Sequence, residues 1–230
     1  MRAALFLREP LRSPLTLALL VTVPALFVIA AADVLSDFAR VLGGSLAGDA
    51  AVALGAGWAA AFVAGTLGFF EAASSRGADR RLALAGVRPW RLAAARIGAS
   101  AGLAALACGT AFIALMLRTG VAHPLHAAAA ILAFALIYVA VGVIVGSVVR
   151  DPLNGSLIVA FIFLLDTFSG PGMSSSPPVW AVSRKAADVL IAAGLGEGSA
   201  TGAWIWLGAS TAAALLLAVA VFAISCRRRA

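Results

Sequence analysis

The chain has 230 residues, of which 63% are hydrophobic and only 12% charged, and its mean hydropathy is +1.04. A typical soluble domain is about 45–50% apolar and about 25% charged, so one small globule cannot bury this many apolar side chains. These values exclude a soluble enzyme or nucleic-acid-binding domain and predict an all-α integral membrane protein. The net charge of +7 comes from arginine-rich segments, which are typical of cytoplasmic loops, and no nucleic-acid partner is expected.

Six apolar stretches are long enough, or nearly so, to cross a bilayer, which takes about 20 mostly apolar residues. They lie at about residues 15–32, 51–70, 97–117, 127–149, 153–168 and 203–226. The first stretch also resembles a signal peptide cleaved after an Ala-Ala-Ala run. Its apolar run is long for a signal peptide, and its removal leaves an odd number of spans. We therefore favour six uncleaved spans in a single transmembrane domain, residues 1–230.

Basic residues predict the orientation of the spans. With the N-terminus in the cytoplasm, thirteen arginines lie inside and four basic residues, Arg40, Arg118, Arg184 and Lys185, lie outside. The positive-inside rule therefore predicts that both termini are cytoplasmic. The arginine-rich, lysine-poor usage is typical of a GC-rich prokaryotic genome, so the expected location is a prokaryotic inner membrane.

Residues 1–13 alternate apolar side chains with charged ones, among them Arg8 and Arg12. This composition is typical of an interfacial helix whose arginines lie among lipid headgroups. It is equally typical of an ordinary basic flank to the first span.

The largest predicted cytoplasmic loop, residues 71–96, contains six arginines. Ser74 and Ser75 are candidate N-caps, and Gly86 followed by Pro89 is a helix stop, so we expect a short helix over residues 77–85. The loop is either a solvated topological anchor or a docking surface for a cytoplasmic partner. Glu71, which closes the second span, is expected to pair with Arg76 or with an arginine of the N-terminal segment.

Two further patterns concern packing. Gly98-x-x-x-Gly102 and Gly142-x-x-x-Gly146 let helix backbones approach closely, and we interpret both as packing faces. In the outer segment, residues 169–202, apolar and charged side chains over residues 179–193 predict an amphipathic helix that lies in, or dips into, the outer interface.

Catalytic motifs are lacking in the sequence. A P-loop needs Gly-x-x-x-x-Gly-Lys-Ser/Thr, and Lys185, the one lysine, has no glycine loop before it. His123 and His126 offer two metal ligands without the others that a site needs, so no metal is expected. Asp166 is the one ionisable residue inside a predicted span; it is either functional or a cap of the turn that follows it.

The order of these features resembles a known family. A basic amphipathic start (LFLREPLRSP) leads into a span with Pro24, and a second span ends at Glu71. A basic loop (RGADRRLALAGVRPWRLAAARI), four more spans and an outer segment headed by SSSPPVWAVSRKAADVL follow. Over essentially the whole chain, this order is similar to the permease subunit of a type-two ATP-binding-cassette (ABC) exporter. In place of that family's Glu-x-x-x-Gly-Thr-like loop, the chain has Glu71 followed by Gly77 and Asp79.

The resemblance implies two six-span permease copies, as a homo- or heterodimer, and two copies of a separate ATPase that binds ATP and Mg. Residues 1–13 would be the elbow helix, and residues 178–194 a re-entrant region. The substrate would be a small hydrophobic or amphipathic drug, lipid or peptide moved outward. The residues that would couple the permease to the ATPase are Arg76, Gly77, Asp79, Arg80, Arg81 and Leu82.

Other classes remain open. The letters SRGADRR also resemble the transmembrane coupling subunit of vitamin-uptake importers, although a 26-residue loop is short for the long cytoplasmic helices of that subunit. RRLALAG resembles a loop of lipoprotein-release permeases, but the large extracytoplasmic domain of that family has no place between these spans. A secondary carrier or membrane scaffold without an ATPase is the third alternative, for which Asp166 and Pro24 are the relevant features.

Overall fold

The computed structural model describes residues 14–46, 48–174, 181, 184–196 and 201–227. The elbow segment with Arg8 and Arg12 lies outside these ranges. Within them the chain forms helices and no strand. The helices are α1 Pro14–Val41, α2 Gly48–Ser74, α3 Arg76–Leu84, α4 Pro89–Arg118, α5 Pro124–Val148, α6 Pro152–Ser169, α7 Arg184–Leu195 and α8 Thr201–Arg227.

Five of these helices, α2, α4, α5, α6 and α8, are long and apolar enough to cross a membrane. They coincide with the second to sixth predicted spans, which supports a multi-pass membrane protein. The first predicted span is part of α1, which consists of two segments, Leu17–Ala30 and Asp33–Val41, that meet at 58°. Pro24 lies inside the first segment, so the bend is not at the proline.

Helix α2 lies at the centre of the bundle and packs against α1, α4, α5, α6 and α7. Of the 18 most apolar consecutive residues of α2, 78% are buried within the chain. The same share for α8 is 17%. Alanine and glycine make up much of α2. Because such side chains are small, neighbouring backbones approach it closely on several sides.

The contact between α2 and α5 is made by backbone. A Cβ added at Gly142 would lie 2.0 Å from the carbonyl oxygen of Gly65, and one added at Gly68 would lie 2.6 Å from that of Val139. A Cβ at Gly146 would also be too close, 2.7 Å from the carbonyl oxygen of Phe69. The prediction that the second glycine pair is a packing face is therefore confirmed.

The other glycine pair behaves differently. Gly98 and Gly102 of α4 are exposed on the surface of the chain. The prediction that they form a packing face is wrong for packing within one chain, because α4 turns its neighbouring side chains Ala99 and Leu103 to the core instead.

The outer segment includes α7, which packs against α2, α5 and α8. Ala187 and Leu190 are fully buried, and the Leu190 side chain lies so close to Gly57 that a Cβ there would be 2.8 Å from it. The amphipathic helix predicted over residues 179–193 is thus described from residue 184 onward. Its apolar face covers the core of the bundle.

Candidate functional site

The short helix predicted over residues 77–85 is present as α3, one residue out of step with the prediction. Gly86 has φ +88°, and its N–H donates to the Ala83 carbonyl while the Val87 N–H donates to that of Leu82, each at 3.0 Å. This pair of bonds is a Schellman motif, in which glycine takes the left-handed position without a steric penalty. The prediction that Gly86 stops the helix is therefore confirmed.

The expected N-caps of α3 are not formed. The Ser74 hydroxyl donates to the Phe70 carbonyl at 2.7 Å, and the Ser75 hydroxyl to the Glu71 carbonyl at 2.6 Å. Both hydroxyls thus bond back to the last turn of α2, because Ser75 itself keeps a helical conformation (φ −84°, ψ −5°). Helix α3 follows α2 without an extended residue between them.

Arg96 is the central residue of a buried charge cluster between α2, α3 and α4. Its guanidinium donates to Glu71 Oε1 at 2.5 Å and to Asp79 Oδ1 at 3.0 Å. Asp79 is 1% exposed and Arg96 is 8% exposed. Glu71 therefore pairs with Arg96, a partner that the sequence did not indicate, because α4 begins at Pro89 and carries Arg96 back to the end of α2.

Arg76 connects α3 to the end of α5. Its Nε donates to the carbonyl oxygen of Gly146 at 3.0 Å, and its Nη2 donates to the carbonyl oxygens of both Gly146 and Val149. The last carbonyls of α5 have no partner within their own helix, and they lie at the negative end of its dipole. The Arg76 guanidinium therefore gives these carbonyls hydrogen-bond donors, and it places a positive charge at the negative end of the α5 dipole.

The predicted coupling residues thus divide into two groups. Arg76 and Asp79 bond inward, and Leu82 packs partly against the core. Gly77, Arg80 and Arg81 are exposed, as is Leu84, the last residue of α3, at 63%.

The exposed side of this region continues onto α4. Arg88 and Arg91 are exposed, and the Arg91 guanidinium lies 5.3 Å from the ring centre of Trp90, which is 51% exposed. Both acids of residues 71–96 lie in the buried cluster around Arg96. The exposed arginines of residues 71–96 therefore have no exposed acid of the same segment beside them, and we call them the arginine surface: Arg80, Arg81, Arg88 and Arg91.

Helix α3 is not packed solidly against the helices beneath it. A cavity of about 30 Å³ lies between α2, α3, α5 and α8, lined among others by Asp79, Ser147 and Ser225. The Oδ2 atom of Asp79 has no hydrogen-bond partner among the described residues. The bonds of Arg76 and Asp79 and the packing of Leu82 attach α3 to the bundle.

Asp166 lies inside the bundle. It is 2% exposed, and its Oδ2 accepts a hydrogen bond from the Tyr138 hydroxyl at 2.6 Å. The turn that follows α6 is closed by backbone bonds, including that from the Gly170 N–H to the Thr167 carbonyl at 3.2 Å. Asp166 is consequently a buried partner of α5.

The two histidines are neighbours at the opposite end of the bundle from α3. Their ring centres are 5.5 Å apart, and the His126 ring also lies 5.3 Å from that of Trp204. Across the part of the chain that the structure describes, no group of three or more metal-ligating side chains occurs.

Two residues of these sites were not singled out by sequence reasoning. In the sequence, Arg96 is one of six arginines in the loop, and Tyr138 is a lone hydroxyl in an apolar run. Tyr138 is the one tyrosine of the chain and lies in the most hydropathic span. A single hydroxyl in such a span needs a partner, and that signal could have indicated Asp166.

Comparison of the chain with protein-family models, with curated proteins and with solved structures finds no match in any of the three.

Proposed function

We propose that this protein is the membrane-spanning permease half of an ATP-driven exporter of the ABC type. In this proposal a separate ATPase docks on α3, binds ATP and Mg, and drives the permease between inward-open and outward-open arrangements. The complex contains two permease copies and two ATPase copies in a prokaryotic inner membrane. Its substrate is a small hydrophobic or amphipathic molecule moved outward.

The attachment of α3 carries this proposal. Asp79 connects α3 through Arg96 to α4 and to Glu71 of α2, and Arg76 connects it to the end of α5. A force applied to α3 is therefore transmitted to three apolar helices through short polar bonds. This is the mechanical arrangement that a coupling helix requires, and a solvated topological anchor has no need of it.

The exposed side of α3 supports the same proposal. Gly77 has open space around its Cα, and Arg80 and Arg81 are exposed beside it. An acidic groove on the ATPase is the complementary surface. Arg80, Arg81 and Gly77 are then the contact residues, and Arg76, Asp79 and Leu82 hold α3 in position.

The topology of the proposal requires a sixth span. In this proposal the two segments of α1, Leu17–Ala30 and Asp33–Val41, together form that span, and with six spans the positive-inside rule puts both termini on the cytoplasmic side. Residues 1–13, with Arg8 and Arg12, then form the elbow helix on the same side as α3. The part of the outer segment that includes α7 lies at the opposite end.

Co-purification tests the proposal. The tagged chain is expressed from its native operon and extracted in mild detergent, and we expect a P-loop ATPase in near-equal amount. Arg80→Glu with Arg81→Glu should abolish co-purification. Arg88→Glu with Arg91→Glu is the matched control, since it changes the net charge by the same amount on the same arginine surface but outside α3.

The outcomes separate the alternatives. Loss of the ATPase only in the α3 variant supports a docking helix. Equal loss in both variants indicates an unspecific electrostatic contact, and a defined oligomer without any ATPase contradicts the exporter.

A secondary carrier is the second candidate, and the buried pair of Asp166 and Tyr138 favours it. An intramembrane carboxylate is costly to bury and is typical of ion-coupled transport. Cells that produce this chain alone should then expel a cationic dye such as ethidium when a proton gradient is present. Asp166→Asn should stop that efflux, whereas Asp37→Asn, an exposed acid on α1, should not.

A further inference from the structure

A lengthwise crevice of about 570 Å³ opens on the side of the bundle between α1 and α4. It runs from Val21 and Thr110 at one end to Ile29 and Arg118 at the other, and its lining is otherwise apolar. The Thr110 hydroxyl donates to the Ala107 carbonyl of its own helix at 2.9 Å. The body of the crevice therefore offers a ligand only apolar contacts.

The length of the crevice matches one leaflet of a bilayer. Eight residues separate Val21 from Ile29 and Thr110 from Arg118, which corresponds to about 12 Å of helix. Half of a hydrocarbon core is about 15 Å thick. Since both helices are apolar here, the natural occupant of the body of the crevice is a lipid acyl chain.

The end of the crevice carries one positive and one negative side chain. Arg118 Nη1 donates to the Val28 carbonyl at 3.4 Å, and its Nη2 lies 3.5 Å from Asp33 Oδ2. The Asp33 side chain is 90% exposed and that of Arg118 is 29% exposed. The 58° bend of α1 falls between Ala30 and Asp33, and so it brings the carboxylate to the mouth of the crevice.

These charges select a headgroup. The contact is long and the Asp33 carboxylate is exposed to solvent, which makes the pair weak, so both groups are available to a ligand. A guanidinium is complementary to a phosphate, and a carboxylate to a primary ammonium. A headgroup that carries both, one phosphate and one primary ammonium, matches Arg118 and Asp33 together.

We propose that the α1–α4 crevice binds one molecule of a zwitterionic phospholipid of the phosphatidylethanolamine type. The acyl chain lies along the crevice, the phosphate accepts hydrogen bonds from Arg118, and the ammonium donates to Asp33. Phosphatidylglycerol lacks the cation and is repelled by Asp33, and phosphatidylcholine has a quaternary ammonium that cannot donate a hydrogen bond. This site does not depend on the proposed ATPase partner.

Native mass spectrometry of the purified full chain tests the site. The chain is equilibrated with equal amounts of phosphatidylethanolamine, phosphatidylcholine and phosphatidylglycerol in mixed micelles, and the retained lipid is identified. We expect one phosphatidylethanolamine per chain. Asp33→Asn should lower its preference over phosphatidylglycerol about two- to fivefold, the effect of one exposed charge contact.

Two tryptophan variants test the crevice itself. Ile113→Trp fills the crevice and should remove the retained lipid regardless of headgroup. Leu117→Trp, at a position that is 83% exposed, is a second filling variant should the first reduce the yield of folded protein. Ile205→Trp adds the same bulk at an exposed position of α8, outside the crevice, and should retain the lipid.

Three results would overturn the proposal: no lipid retained by the natural chain, equal retention of the three headgroups, or full retention in both filling variants.

Discussion

Helix α2 makes two contacts that differ in kind. Along its length it meets α5 backbone to backbone, so closely that no Cβ fits at Gly142 or Gly68. At its end it meets α3 and α4 through three charged side chains, Glu71, Asp79 and Arg96. The backbone contact has a single geometry, whereas side-chain bonds can lengthen or change partners. The comparison shows a pair of spans in close backbone contact next to an attachment that is made by charged side chains.

The largest effect is expected where the charged attachment is broken. Arg96→Met leaves Glu71 and Asp79 buried without their shared cation, which costs about 3–5 kcal/mol for a buried pair. We expect a large fall in the apparent melting temperature in mild detergent. Arg88→Met, which removes an exposed arginine of the same region, is the control and should leave it unchanged.

A partial rescue sharpens this prediction. Adding Asp79→Asn to Arg96→Met removes the most deeply buried of the two negative charges, and it should restore part of the lost stability. A double variant that is less stable than Arg96→Met alone would show that charge is not the reason for the loss.

The next effect is expected at the backbone contact between α2 and α5, where even one added methyl group has no space. Gly142→Ala adds one methyl group, which must move the α2 backbone at Gly65 and costs about 1–3 kcal/mol. Gly109→Ala is the matched control, because nothing lies within 4 Å of a Cβ at that position of α4. Heating followed by size-exclusion chromatography compares the two, and equal melting temperatures would disprove the close contact.

An effect of similar size is expected at the buried hydrogen bond between α5 and α6. Tyr138→Phe removes the hydroxyl that donates to Asp166 at 2.6 Å, and a lost bond to a buried polar group costs about 1–3 kcal/mol. Phe134→Leu, a buried aromatic of the same helix without a hydroxyl, controls for the effect of altered packing. The same melting assay measures both, and a Tyr138→Phe variant as stable as the natural chain would contradict a role for this bond.

The smallest effect is expected at the exposed ion pair of Arg40 and Asp37. Its 2.6 Å distance is nearly that of Arg96 to Glu71, but its side chains are 74% and 71% exposed. Water screens such a pair, so Arg40→Gln should cost only about 0.2–1 kcal/mol. If Arg40→Gln lowered the stability as much as Arg96→Met, burial would not be the reason that the two ion pairs differ in strength.

Much of the fold could be predicted from local features of the sequence. Five spans followed from the length of their apolar runs, and the short helix α3 followed from Gly86 and Pro89. These signals act within a few residues, because a span is defined by its own hydropathy and a helix end by its own glycine. The 58° bend of α1 has no such signal, since Pro24 lies elsewhere in the helix.

The candidate site was predicted only in part. The exposure of Arg80 and Arg81 agrees with an arginine-rich loop, but the same composition did not distinguish Arg96 or Arg76 from them. Each inward bond crosses a large distance in sequence, 25 residues from Arg96 to Glu71 and 70 from Arg76 to Gly146. No local pattern reports which of six arginines meets a buried acid.

The sequence by itself determined that the chain belongs in a membrane, because the hydropathy of a helix depends only on the residues of that helix. It also determined where α3 begins and ends to within one residue. Only the tertiary structure decided which glycine pair packs and which is exposed, and that Asp166 faces Tyr138. It also decided which charges hold α3 and which are exposed. Those outcomes depend on how whole helices lie against one another, and that arrangement is a property of the packed bundle.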